Sequence, residues 1–241
     1  MLVEICASSI QSSINAERAG ADRIELCSEL ALGGITPSYG LVWQAVKQLT
    51  IPVFVLIRPR SGNFTYTAQE LEIMKTDIAK YKAIGVSGIV SGVLQNNNTI
   101  DIESTKALLN ASSPLPFTFH RAFDWVDEPL QALEQLMEIN VTRVLTSGQK
   151  LKAPEGVDLL VALQNKAKDD IIILPGGGIN PKNVSFFKQL RFKEIHCSAI
   201  GKIQPVLNHK LTFNSEALFN ANVVPHSDLD TIKAIVAKVK C

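Results

Sequence analysis

The chain has few cysteines, four in 241 residues, at positions 6, 27, 197 and 241, and none stand in a C-x-x-C spacing. That sets aside zinc-ribbon and thioredoxin-like patterns. A charge excess is also missing. The 24 lysines and arginines face 23 aspartates and glutamates, leaving a net charge of +1. Neither a nucleic-acid footprint nor a polybasic membrane patch is expected from such a balance. No run reaches ~18 uninterrupted apolar residues, so no membrane span is expected. The opening MLVEICASS lacks a basic region and carries Glu4 where a secretory core would be apolar. Reduced thiols and a cytoplasmic location follow as expectations. No Pro- or Ser-rich linker divides the chain, so residues 1–241 read as a single domain.

What is present is a repeating unit of short apolar run, turn and amphipathic stretch. The apolar runs are Leu2–Cys6, Arg23–Cys27, Val53–Ile57, Gly88–Gly92, Pro116–His120, Arg143–Ser147, Ile171–Pro175 and Glu194–Ser198. Most are rich in Val, Ile, Leu or Phe, as strands buried on both faces of a parallel sheet require. Between them stand helix signals. Ser8-Ser9-Ile10-Gln11 and Thr67-Ala68-Gln69-Glu70 spell capping boxes, the first opening a helix that ends near Gly20. Pro129 and Pro181 suit first helical positions, and Ser227 opens a last helix through Val239. Eight strands alternating with helices in this length predict an α/β fold, a TIM (β/α)8 barrel, over an open doubly-wound sheet. The barrel core covers about 1–200. The remainder, 201–241, reads as an irregular C-terminal segment and a final helix, the irregular part serving as a loop over the mouth or an oligomer contact.

Side chains alternate along a strand. Taking the more polar parity as inward sends Glu4 and Cys6, Glu25 and Cys27, Arg58 and Arg60, Thr118 and His120, and Glu194, His196 and Ser198 toward the barrel axis. Five strands thus converge on the C-terminal mouth, where such barrels carry their sites. Glu4 and Glu25 are expected to pair with Arg58 and Arg60. His120 suits general acid or base work near neutral pH, with Glu25 as a second proton-transfer candidate. Arg121, on the other parity, is expected to point away. Gly176, Gly177 and Gly178 let a backbone approach an anion closely, and Thr146, Ser147 and Ser198 offer hydroxyls. The bland reading of the charges is an ion-pair network closing the barrel top.

Cys6 and Cys27 end neighbouring strands on the inward side. Two such thiols fit either of two readings: a chelate for a soft ion such as Cu(I), or two small core hydrophobes.

Several blocks carry a resemblance when taken together: Val3-Glu4-Ile5-Cys6, Ala19-Gly20-Ala21-Asp22-Arg23-Ile24-Glu25-Leu26-Cys27-Ser28, Ile57-Arg58-Pro59-Arg60, Phe119-His120-Arg121-Ala122-Phe123-Asp124, Pro175-Gly176-Gly177-Gly178-Ile179 and Ile195-His196-Cys197-Ser198-Ala199. Over about residues 1–200 the chain resembles the copper homeostasis protein CutC family. The resemblance implies a cytoplasmic TIM-barrel homo-oligomer that binds Cu(I) through residues matching Cys6 and Cys27. The family pattern has an arginine after the strand-8 His-Cys-Ser-Ala block, where this chain has Ile200. The ionisable groups leave a second function open: an enzyme acting on a small anionic or phosphorylated metabolite.

Overall fold

The structure is a computed structural model that describes residues 1–201 and 225–240. Among the described residues, eight strands alternate with eight helices. The strands are β1 Leu2–Ala7, β2 Arg23–Leu26, β3 Val53–Leu56, β4 Gly88–Ser91, β5 Phe117–Phe119, β6 Arg143–Thr146, β7 Ile172–Pro175 and β8 Glu194–Cys197. The helices are α1 Ile10–Arg18, α2 Tyr39–Gln48, α3 Ala68–Ile84, α4 Ile102–Ser112, α5 Pro129–Glu138, α6 Val157–Ala167, α7 Val184–Gln189 and α8 Leu229–Lys240. All strand pairs are parallel, in the order β7-β6-β5-β4-β3-β2-β1-β8. A parallel bridge between Gly176 and His196 joins the two ends of that order. This is the TIM barrel that the eight apolar runs predict.

The parity reading separates the layers. Val3, Ile5, Ile24, Leu26, Val53, Val55, Ile195 and Cys197 face outward into one large core shared with the helices. Cys6, Cys27, Phe54, Leu56 and Val90 form a separate apolar cluster inside the barrel. Each fully buried aliphatic side chain contributes roughly 1.5–3 kcal/mol. Helix α3 shows how locally the outer layer is specified. Thr67 and Glu70 complete the capping box, Met74, Ile78 and Tyr81 line the buried stripe, and Gly85 ends the helix at φ +95°. Gly88 in β4 has an inward reason: a Cβ there would lie 2.5 Å from the Phe54 ring.

Three helix boundaries differ from expectation. The α1 cap is Ser9, accepting from Ser12 N–H, while Gln11 turns to Asn15 instead of reaching back. A helix opening at Pro181 is replaced by one starting at Val184, because Asn180 and Asn183 bind the intervening backbone in a turn. The last helix begins at Leu229, capped by Asp228, which accepts from Thr231 N–H at 2.8 Å. The irregular stretch expected between Ile200 and Pro225 lies largely outside the described residues, and so does Cys241.

Candidate functional site

Deep in the barrel the charges are paired, though not as the sequence reading expected. Arg23 bridges Glu4 and Glu194. Arg143 lies 3.3 Å from Glu194. The guanidiniums of Arg23 and Arg143 stack on Phe54, 4.7 and 5.1 Å from its centroid. The expected partner Arg58 is held elsewhere. Its Nη1 donates to the Leu32 and Gly34 carbonyls and its Nη2 to the Gly62 carbonyl, each at 2.8 Å. Arg60 leaves the barrel altogether, pairing with Glu70 and stacking on Tyr66 at 5.2 Å. The reason is that β3 ends at Leu56, so strand alternation no longer governs residue 60. Arg23 shares the inward parity of Glu25, which is the signal in the sequence for its place beside Glu4.

Above Arg23 sits a second group. His196 Nδ1 lies 2.7 Å from Glu4 and 3.8 Å from Glu25. Burial pushes Glu4 up, but Arg23 and then His196 outweigh it and hold the carboxyl at about 2. Burial dominates at Glu25, which has no guanidinium in contact, and lifts it to about 7. Burial also works against a charged His196, yet the Glu4 hydrogen bond and the charges of Glu25 and Glu4 raise its pKa. The buried carboxylates Glu4, Glu25 and Glu194 outnumber the buried guanidiniums Arg23 and Arg143 in the same network. A proton held on either Glu25 or His196 offsets the surplus negative charge.

A cavity of about 220 Å³ opens above this group. Cys6, Glu25, Arg58, His120, His196 and Ser198 line it, together with Gly177 and Gly178. Among the described residues, the Gly178 amide donates to no protein acceptor. Glu4 and Gly176 lie outside the lining, Glu4 beneath it. Arg121, expected to point away, joins the lining and donates to Ser147 at 2.7 Å. A short 3-10 turn, Arg121–Trp125, begins right after His120 and cancels the strand parity. Thr146 and Ser147 do not serve as donors to a ligand: both hydroxyls are spent on Asp124. Phe64, from the loop after β3, packs on His120 at a centroid distance of 4.9 Å, and no periodic signal marked it.

The Cys6 and Cys27 sulfurs lie 3.7 Å apart, inside the apolar cluster with Phe54, Leu56 and Val90. Cys6 reaches the cavity wall; Cys27 is fully buried behind it. The Cys27 sulfur, burial and the nearby carboxylates together raise the Cys6 thiol well above its ordinary value. Cys6 and Cys27 are the residues that would hold a soft ion here, supplying thiolate ligands. Glu4, Glu25 and His196 also offer ligand atoms within 4.8 Å of one another. Those are harder donors, and Glu4 is already engaged by Arg23 and His196, so they suit Cu(I) less well than the thiols do.

An eight-stranded parallel barrel with ionisable side chains gathered at its C-terminal mouth defines a TIM-barrel protein with a built polar site. The chain belongs to the CutC family, whose model matches residues 1–201. A human relative, copper homeostasis protein cutC homolog, is 49% identical over 200 residues, covering 82% of this chain and 73% of the relative. The mouse homolog of the same name is 44% identical over 241 residues, covering 99% and 87%. A crystal structure of the copper homeostasis protein CutC from Streptococcus agalactiae matches with TM-score 0.79 and 36% identity, over 82% of this chain and 98% of that one. Phosphoribosylanthranilate isomerase from Thermotoga maritima, at TM-score 0.60 and 12% identity, shares the fold alone. No described helix is long and apolar enough to cross a membrane.

Proposed function

We propose that this protein serves copper homeostasis by holding Cu(I) as cargo between Cys6 and Cys27, in the cytoplasm and as a homo-oligomer. The observation that carries the reading is the 3.7 Å approach of two thiols from adjacent strands in an apolar pocket. Thiolates select soft ions, and the surrounding hydrocarbon excludes water and oxidants. Cys6 is a thiol at neutral pH, so loading releases a proton and affinity rises with pH. Competitive Cu(I) titration of wild type against the Cys6→Ser/Cys27→Ser double variant tests this. Affinity should fall at least a hundredfold in the variant; equal affinity removes the site.

A second reading has its own support. Two thiols do not require Glu25, His120 and His196 beside them, and these residues line a cavity of small-molecule size. The arrangement suits an enzyme acting on a small anionic metabolite, with Glu25 or His196 moving a proton and the Gly177–Gly178 loop, through its Gly178 amide, holding an anion. A crystal soaked in inorganic phosphate that shows no anion in the cavity would count against it.

A further inference from the structure

On the β3–β5 side of the cavity, two buried N–H donors have no acceptor among the described residues. The first is Arg58 Nε, beside which the Tyr66 hydroxyl is likewise buried without a well-formed hydrogen bond, and the second is His120 Nε2. Both side chains are about 5% exposed, and both line the cavity. The protonation site on His120 follows from its surroundings. Its Nδ1 accepts from the Ala122 N–H at 3.2 Å, so the ring proton resides on Nε2.

Neither donor is free to turn away. Three carbonyls clamp the Arg58 Nη atoms. Phe64 braces both groups, with the Arg58 guanidinium 5.0 Å from its centroid and the His120 ring 4.9 Å away. Gly92 clears the space for the imidazole, since a Cβ there would lie 2.7 Å from His120 Nδ1. Buried donors in folded proteins nearly always find acceptors. Two fixed ones, on side chains that line the same cavity, mark the place of a ligand oxygen.

We propose that Arg58 Nε–H and His120 Nε2–H form a subsite for a carbonyl or carboxylate oxygen of a small ligand. Glu25 lines the same cavity, and its Oε2 is also buried without a partner. Protonated it donates and ionised it accepts, so it matches a hydroxyl in either state. The ligand class is therefore a small hydroxy acid or hydroxycarbonyl compound, with its acceptor end toward β3 and β5. Burial first, then Arg58, keep His120 uncharged down to about pH 3, which suits a neutral donor that polarises a carbonyl. This inference rests on the reading of the cavity as a small-molecule site.

Glycolate is the probe, with 1,2-ethanediol as the analogue lacking the carboxylate and inorganic phosphate as a second anion. Calorimetric titration of the full chain is paired with crystals soaked in each compound. The subsite predicts a glycolate oxygen within hydrogen-bond reach of both nitrogens. It also predicts at least tenfold weaker binding of 1,2-ethanediol, and a similar loss of glycolate affinity in His120→Phe, which keeps a ring against Phe64. If His120→Phe does not fold, the soak and the ethanediol comparison still decide. Glycolate that binds at the glycine loop, or binds His120→Phe as tightly as wild type, overturns the subsite while the small-molecule reading stands. If neither glycolate nor phosphate enters the cavity, both fail together.

Discussion

Glu4 and His196 are register partners across the β1–β8 seam, and their side chains meet inside the barrel at 2.7 Å. The pair joins the buried ion network below it to the cavity above. Changes on either side of that junction should therefore have separable effects.

Arg23→Met would leave Glu4 and Glu194 without their shared guanidinium. Breaking a buried pair from one side costs about 3–5 kcal/mol, because the remaining carboxylates stay in low dielectric. Urea denaturation at neutral pH measures this. A loss below ~1 kcal/mol would mean that Arg143 takes over the whole charge.

Glu25→Gln should gain stability relative to wild type as pH rises. The folded pKa of about 7 lies above the ordinary 4.5, so the fold retains a proton that the unfolded chain releases. That contribution is complete below pH 4.5 and is lost as pH rises through 7. The advantage of the variant should grow by up to about 3 kcal/mol between pH 4.5 and 8. Parallel stability-against-pH curves would contradict the assignment.

His120 behaves in the opposite direction. Its folded pKa of about 3 lies below the ordinary 6.5, so its contribution is present above pH 6.5 and lost as pH falls through 3. NMR titration should show its ring neutral throughout pH 5–8. Titration of the His120 ring near 6.5 in the folded protein would refute this.

Gly148→Ala tests backbone geometry. Gly148 has φ +70°, and a Cβ there would fall 2.2 Å from the Gly156 carbonyl oxygen. Neither backbone can yield cheaply, so a loss of ~2 kcal/mol or more is expected. Gly40→Ala in α2 is the control, with nothing within 4 Å of the added carbon and a gain of up to ~1 kcal/mol from helix propensity. Equal effects at the two sites would show that the close approach is not what matters.

Arg60→Ala should leave Cu(I) and glycolate binding unchanged and cost no more than ~1 kcal/mol, as a part-exposed ion pair does. A tenfold drop in either affinity would return Arg60 to the site.

The barrel was legible because strands buried on both faces must be apolar and their inward residues recur at every second position. Glu25, Cys6, Cys27 and His196 follow from that rule alone, and His120 one position past the end of β5 still obeys it. The rule stops where strands stop. Arg60 and Arg121 lie beyond strand ends, and each took the orientation opposite to its parity. Partner choice was also hidden. Parity places Arg23 and Arg58 inside alike, but the stagger of strands decides which one reaches Glu4, and stagger has no signature in residue types. Phe64 comes from a loop, where no period exists to read.

The Gly176–His196 bridge and the Glu4–His196 contact lie on the two sides of β8, the first toward β7 and the second toward β1. Glu4 and His196 are 192 positions apart in the chain. No fragment lacking β1 or β8 can assemble the carboxylate–imidazole group, and a barrel opened between these two strands loses it. Ligand binding in the cavity is thus a direct report on whether β1 and β8 have met, and a split of the chain into two halves should restore it only when the halves reunite.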